Sequence, residues 1–386
     1  MHNAALARDS SGKDVAARRA FVAHPPDAVL FSAVAMLVAI GLVMVFSASS
    51  AEAYAMHRDA AYYLKRQLLW LVVGLCAGYV AYRIDYSVLR RCAPLLFLLS
   101  LGGLVAVLVP HVGVMVGGGR RWIGAGSISF EPSEFAKLAL VIFLAAKLSA
   151  GGERIRSLVN GLFPLCLAMG LAIVLVLKEP DMGTASLLAL TGFTMLFVAG
   201  ARLEHLFMVA AATVPFAVLM VLSKPYQRAR VLVFLDPWKD PQNNGFHIVQ
   251  SLLALGSGGL FGVGLGASRA KFFYLPEQYT DFIFSILGEE LGLIGAVAVI
   301  ALFVIIAYRA IRIALAAPDR FGFFLAVGCT AMIVIQAFVN IGVVTSSWPV
   351  TGVPLPFVSF GGSSLVVSLI AAALIINVGR HRRIAQ

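Results

Sequence analysis

The sequence predicts an all-α, polytopic membrane protein of about ten transmembrane helices with both termini on the cytoplasmic side. Three observations predict it. Of 386 residues, 60% are hydrophobic and only 13% are charged, with a mean hydropathy of +0.91. A soluble domain has no interior large enough for that much apolar surface. The apolar residues gather in uncharged runs close to the ~20 residues a helix needs to cross a bilayer. The basic residues, finally, divide unequally between the two sides that those runs define.

The polar segment 1–26 carries Arg8, Lys13, Arg18 and Arg19 and reads as a cytoplasmic tail. No cleavable signal precedes the first apolar run, so that run is expected to be an uncleaved insertion signal. Spans are expected at roughly 27–49, 66–82, 92–110, 133–149, 158–177, 184–200, 206–223, 282–308, 322–345 and 361–379. Residues 380–386 close the chain as a second cytoplasmic tail, leaving 27–379 as one helical membrane domain. With the N-terminus inside, the inner segments hold 17 of the 30 Lys and Arg against 7 of the 19 acids, or +10. The outer segments hold the remaining 13 basic and 12 acidic residues, or +1, which completes the formal +11. Compact inner clusters carry the bias: Arg83, Arg90 and Arg91; Lys147, Arg154 and Arg156; Arg309, Arg312 and Arg320; Arg380, Arg382 and Arg383. The basic balance is therefore a topology signal, and no nucleic acid partner is expected.

The four cysteines lack CxxC spacing and fall in or beside spans, as small packing residues do. The seven histidines show no metal-ligand spacing. Inner connections are short, whereas three outer segments exceed what a turn requires: 111–132, 224–281 and 346–360. The apolar stretch Ile248–Leu255 inside the large outer loop suits a short interfacial helix. The glycine-rich run from Gly256 to Gly266 follows no strand, so it is read as backbone packed closely on helices or lipid and not as a dinucleotide loop.

Chemistry-bearing residues gather at the outer ends of spans. Asp281 stands where the large loop, with Glu277 just before it, enters the eighth span. A carboxylate at a water–lipid boundary beside apolar sequence has its pKa raised and suits proton abstraction from a hydroxyl. Glu289 and Glu290 lie ~12 Å deeper on the same helix and either pair with an interior cation or face a cavity. Arg120 and Arg121 follow Gly117–Gly119 and suit a phosphate, or else lipid anchoring beside the interfacial Trp122. Glu134 and Lys137 share a helix face three residues apart, just after Pro132 and Ser133 open the fourth span. Lys178, Glu179 and Asp181 crowd one outer turn, more densely than an ordinary turn requires. Arg228 and Arg230 on the large loop suit an anionic diphosphate. Asn340 inside the ninth span needs a hydrogen-bond partner. After it come Thr351, Ser359 and Ser363, in an irregular segment punctuated by Pro349, Gly352, Pro354 and Pro356, which is tolerated only beside protein or a water-filled cavity.

Together these segments resemble the SEDS (shape, elongation, division and sporulation) family. The matching pieces are Arg66-Gln67, GGGRRWI, EPSEFAKL, KEPDMGTA, YQRAR, GSGGLFGVGLG, LPEQYTDFIF with EELG, and VTGVPLPFVSFGGSS, in family order across nearly the whole chain. The resemblance implies a peptidoglycan glycosyltransferase that joins lipid II to a nascent glycan outside the bacterial cytoplasmic membrane and releases undecaprenyl diphosphate. It places the family's essential aspartate on Asp281 and its paired acid and lysine on Glu134 and Lys137. It also implies a class B penicillin-binding protein as transpeptidase partner, with other divisome or elongasome membrane proteins around it. A divalent cation, magnesium or manganese, near Asp281 is a further expectation, with the substrate diphosphate supplying ligands. Glu131, Ala267, Ser346 and Phe360 depart from the usual pattern, and the polar N-terminal tail leans toward the division branch. Two other readings differ in kind: a lipid II flippase, and a non-catalytic divisome scaffold. The gathering of polar motifs at outer span ends disfavours the flippase.

Overall fold

In the computed structural model, residues 25–116, 119–125, 128–223, 225–243, 245–272 and 275–381 are described. Residues 1–24 and 382–386 of the two predicted tails, and Gly117 and Gly118, lie outside them. The helices are α1 Ala28–His57, α2 Tyr62–Arg83, α3 Tyr86–Leu108, α4 Pro132–Gly151, α5 Phe163–Lys178, α6 Met182–Val198 and α7 Leu203–Ser223. There follow α8 Pro225–Leu235, α9 Phe246–Ser257, α10 Ile283–Leu315, α11 Arg320–Val344 and α12 Gly362–Arg380. Among the described residues, eight stretches of helix are long and apolar enough to cross a membrane, and they fall on eight of the expected spans. The 17-residue α6, and α7, occupy the other two positions.

Helix starts follow from local chemistry. Asp27, Asp85, Asp181 and Asp319 each accept a backbone N–H of the first turn that they precede, at 2.8–3.0 Å. Pro132 opens α4, where a missing N–H costs nothing. The centre of the bundle is α11 and α12, with 72% and 83% of their most apolar windows buried. The other spanning helices surround them and keep apolar side chains such as Phe31, Val72, Leu98 and Phe207 exposed for lipid.

One departure from an all-α fold lies in the outer segment 111–132. There β1 Gly113–Val116, β2 Gly119–Ala125 and β3 Ile128–Phe130 form an antiparallel sheet in the order β1-β2-β3. Gly113 pairs with Ile123, which in turn pairs with Phe130. The runs are too short to cross a membrane and are broken by glycine, so pairing among themselves is how their backbone groups are satisfied.

The bundle has two chemically distinct ends. At one, Arg309 grips Asp27 through two nitrogens (2.6 and 3.1 Å), and the Tyr86 hydroxyl donates to Asp319 at 2.5 Å. Asn377 donates there to the carbonyls of Ala81 and Ile84. This end carries the basic clusters and is the inner one by the charge rule. At the other end lie the starts of α2, α4, α6, α10 and α12, with the irregular segment 346–361 among them.

The predicted apolar stretch at 248–255 falls inside α9. Beyond it the glycine-rich run interrupts α10. Gly292 sits at φ 68° and breaks the helix, and the loop takes over the freed groups. Val263 and Gly264 donate to the Glu289 and Glu290 carbonyls at 3.0 and 3.1 Å, while Leu293 and Ile294 donate to Gly259 and Leu260 at 2.9 and 3.2 Å. A Cβ on Gly258 would stand 2.0 Å from the Gly288 oxygen, and one on Gly262 2.1 Å from that of Glu290. Only glycine permits that approach.

Candidate active site

Asp281 ends a short stretch of backbone whose carbonyls are all held. Phe360 N–H donates to the Tyr279 carbonyl (2.9 Å), the Ser359 hydroxyl to that of Thr280 (2.6 Å), and the Asn340 amide to that of Asp281 (2.8 Å). The same Asn340 nitrogen donates to the Val353 carbonyl at 2.7 Å, and Ser359 Oγ accepts from Leu355 N–H at 2.8 Å. Gln67 on α2 donates to the Ser359 carbonyl at 3.1 Å. Tyr63, Tyr279 and Phe360 pack their rings together, with Tyr63 4.5 Å from Tyr279 and 5.3 Å from Phe360. Glu52 on α1 accepts from the Tyr279 hydroxyl at 3.2 Å. Two loops far apart in sequence are thus fastened into one unit, and the Asp281 carboxylate projects from it half-buried. Beside it Gly352 sits at φ 73°, a conformation that favours glycine, with its Cβ position 3.4 Å from Asp281 Oδ2.

The surroundings tune that carboxylate. Burial pushes its pKa up, Glu277 and Asp181 add to this, Arg230 and Arg121 oppose it, and the result is about 7. Glu277 itself is exposed and accepts from the Thr280 hydroxyl at 2.8 Å. Arg230 on α8 donates to the Val350 carbonyl at 3.3 Å. Arg228 is exposed on the same helix.

The turn between α5 and α6 faces the same region. Arg121 on β2 donates to the carbonyls of Glu179 (3.1 Å) and Pro180 (2.6 Å) and stands 4.0 Å from Asp181. Alternation along the strand turns Arg120, which is half-buried, to the other face. Asp181 caps α6, Glu179 is fully buried, and Lys178 is exposed. Burial, Asp181 and Glu131 hold Glu179 protonated, with its pKa raised to about 9 against the pull of Arg121. Both Glu179 carboxyl oxygens, the Thr351 hydroxyl and the Asn340 carbonyl oxygen are buried without hydrogen-bond partners. Orphaned polar atoms concentrated at one end of an apolar bundle are the mark of a site built for something else.

Below this layer, Lys137 donates to Glu134 (2.8 Å) and to Gln336 (2.7 Å), all three buried. Gln336 passes the contact on to the Pro354 carbonyl at 2.9 Å and the Ser364 hydroxyl at 3.2 Å. Glu131 N–H donates to Ser363 at 3.0 Å. Burial and neighbouring Glu134 and Asp181 raise the pKa of Glu131. Ser363 is therefore a packing contact between α4 and α12, not an open ligand.

Glu289 and Glu290 do not join the Asp281 cleft. Glu290 accepts from Ser47 at 2.7 Å and pairs with Lys271 at 3.4 Å, while Glu289 accepts from the Ser268 hydroxyl and from Arg269 N–H at 3.0 Å. Of the two readings open from the sequence, Glu290 realises pairing with an interior cation, Lys271, while Glu289 is held by the Ser268 hydroxyl and by backbone N–H groups. The reason is that the loop after α9 folds back over that turn of α10 and fills its hydrogen-bonding capacity. Lys271 and Gln336 went unnoticed in the sequence. Gln336 carries the same signal as Asn340, a polar amide inside an apolar span, whereas Lys271 sits in a loop where a lysine is unremarkable.

The family model for FtsW, RodA and SpoVE, described as cell cycle protein, matches residues 27–384. Stage V sporulation protein E of Bacillus subtilis (strain 168) is 46% identical over 358 residues, covering 93% of this chain and 98% of that protein. The probable peptidoglycan glycosyltransferase FtsW of Trichlorobacter lovleyi is 44% identical over 368 residues, covering 95% and 97%. A chain in a solved peptidoglycan synthase complex, described for its structural coordination of polymerization and crosslinking, superposes with a TM-score of 0.77 at 33% identity, covering 92% of this chain and 98% of that one. The rod shape determining protein RodA of Thermus thermophilus gives 0.68 at 29%, covering 93% and 98%. With a family match over nearly its whole length and relatives above 40% identity covered almost end to end, the chain belongs to the FtsW/RodA/SpoVE family of multi-pass membrane proteins.

Proposed function

We propose that this chain is a peptidoglycan glycosyltransferase that polymerises lipid II at the outer face of the bacterial cytoplasmic membrane during cell division. One observation carries the site assignment: a half-buried carboxylate with a pKa near 7, its own backbone clamped, stands at the outer end of the bundle among unpartnered polar groups. Such a group is a base near neutrality.

Asp281 takes the proton from the 4-hydroxyl of the acceptor N-acetylglucosamine. That oxygen bonds to the anomeric carbon of the donor N-acetylmuramic acid as the bond to the diphosphate breaks, with inversion. The electron pair leaves on the diphosphate, released as undecaprenyl diphosphate. Arg121 and Arg230, which already act on Asp281 electrostatically, stand on the side where the departing charge needs cations, with Arg120 and Arg228 nearby in sequence. Thr351 and Glu179, the latter as a neutral acid, offer hydrogen bonds to the sugars. Lys137 is taken up by Glu134 and Gln336 and acts as a positioning residue beneath the cleft. Among the described residues no group of three or more His, Cys, Asp or Glu is arranged to hold a metal; a magnesium or manganese ion near Asp281 would take its other ligands from the substrate diphosphate and would help to neutralise the departing charge. The transpeptidase partner in this reading is a class B penicillin-binding protein docking at the outer end, as likeness to a chain of a synthase complex supports.

The test is glycan synthesis by the purified chain, alone and with its cognate transpeptidase, from labelled lipid II. Asp281→Asn is expected to abolish polymer while leaving thermal unfolding in detergent unchanged. A variant that still polymerises at the wild-type rate would remove Asp281 from the chemistry.

A further inference from the structure

Two adjoining cavities lie at the inner end, far from Asp281. One, of about 600 Å³, is lined by Glu153, Arg156, Ser157, Leu158, Val159, Arg202 and His205. The other, of about 360 Å³, shares Glu153 and Arg156 and adds Arg320 with Phe323 and Phe324. Arg156 lines both cavities, Arg202 the first and Arg320 the second, so three arginines flank an adjoining pair of hollows whose lining carries one carboxylate, Glu153. Arg156 touches that Glu153 only loosely, at 3.4 Å, with both side chains exposed. Arg320 reaches across to the loop after α4, its Nη1 3.8 Å from where a Gly152 Cβ would stand. Of the acids next to lining residues in the chain, Glu204 is exposed beside His205, and Asp319 is already occupied by the Tyr86 hydroxyl and the Gly322 N–H.

The paired cavities are bounded by the turn that leads into α5 and the first turns of α7 and α11, and also by the ends of α4 and α6 at Leu148, Gly152, Ala199 and Gly200, so the helix dipoles offset and the guanidinium groups supply the positive charge. His205 Nδ1 is buried at this place with no hydrogen-bond partner. The site thus offers a polar atom and three guanidinium groups to an anion, with Glu153 the one carboxylate in its lining.

Its surroundings say which anion. From the rim, Val159, Phe163, Leu167 and Leu171 run up the outside of α5 at four-residue intervals, with exposures of 69%, 59%, 63% and 50%. On the flanking α7, Leu203 and Phe207 are likewise exposed. An apolar track that begins at a cationic hollow has the chemistry of a phospholipid: phosphodiester below, acyl chain alongside. We propose that the hollow bounded by Arg156, Arg202, Arg320 and His205 holds the phosphodiester head group of an anionic phospholipid of the inner leaflet, with an acyl chain along α5. The site is independent of the glycosyl-transfer reading, and it would stand if that reading fell.

Native mass spectrometry of the full chain, purified in detergent and supplied with phosphatidylglycerol, phosphatidylcholine or inorganic phosphate, tests it. Phosphatidylglycerol is expected to be retained in preference to phosphatidylcholine. Combined Arg156→Gln, Arg202→Gln and Arg320→Gln substitutions are expected to weaken retention at least about tenfold, while Lys147→Gln, a nearby inner lysine outside the hollow, leaves it unchanged. Equal retention of the two lipids, or indifference to the triple substitution, would overturn the proposal. Inorganic phosphate that binds as tightly as the lipid and displaces it would overturn the lipid as the source of the anion. The wild-type chain supplies a second measurement that needs no variant: phosphatidylglycerol with a photoreactive acyl chain is expected to label α5 between Val159 and Leu171. Labelling confined to other helices counts against the site.

Discussion

The Asn340 side-chain amide bridges the carbonyls of Asp281 and Val353, at 2.8 and 2.7 Å, and so couples the last span-entry residue of one loop to the proline-rich segment of another. One nitrogen sets the distance between the proposed base and the strip of backbone that flanks it.

Asn340→Ala is therefore expected to lower polymerisation about 10–100-fold through misplacement of Asp281, because errors of about an ångström in a reacting group cost that much. The loss should fall on kcat more than on KM, and the pH at which activity appears should stay where it is in the wild type. A loss confined to KM would show that Asn340 serves binding instead.

The pH dependence follows from the raised pKa of Asp281. A base must be deprotonated, so activity should be present above about pH 7 and lost as pH falls through that value. Arg121 and Arg230 favour the charged form, so Arg121→Ala should move the acidic limb to higher pH. Rate against pH for both proteins, in the same lipid mixture, checks the sign.

Glu179 is expected to tolerate amidation. With its pKa near 9 it is neutral under physiological conditions, and Glu179→Gln preserves shape and neutrality. Because the folded pKa is raised, the stability linked to this group is complete below its unfolded pKa, around 4.5, and is lost as pH rises toward 9. Glu179→Gln should therefore gain melting temperature relative to the wild type between pH 6 and pH 9. Thermal unfolding across that range would reveal it, and a parallel pair of curves would refute it.

Lys271→Met should be among the most damaging changes away from the cleft. It leaves Glu290 buried beside Ser47 without its cation, and breaking such a pair costs about 3–5 kcal/mol. Pairing the substitution with Glu290→Gln should restore much of the loss, which the melting temperatures of the single and double variants would measure.

The spans were legible because lipid imposes an apolar length that few other solvents demand, and α1 to α7 and α10 to α12 fall where those runs lie, whereas α8 lies in the segment read as an outer loop. Asp281 was legible because a charge at a span entry is costly enough to stand out. The sheet at 113–130 was not, since its strands are three to seven residues long and interrupted by glycines that also suit a loop. The division of labour among the acids was equally hidden. Spacing alone placed Glu289 and Glu290 on a helix below Asp281, and only the return of the 268–271 loop over that turn decides that they hold structure together. In the same way the one-face spacing of Glu134 and Lys137 was visible, but Gln336, the second partner of Lys137, lies about two hundred residues away in the chain.

The interruption at Gly292 has a mechanical consequence. The half of α10 nearest Asp281 is braced by glycine-loop hydrogen bonds at 289–294 and not by continuous helix below, so it is a short lever whose fulcrum is that loop. The loop that carries this brace leaves Leu260, Phe261 and Leu265 exposed, so the joint between the two halves of the span is held by a segment that itself faces the surroundings.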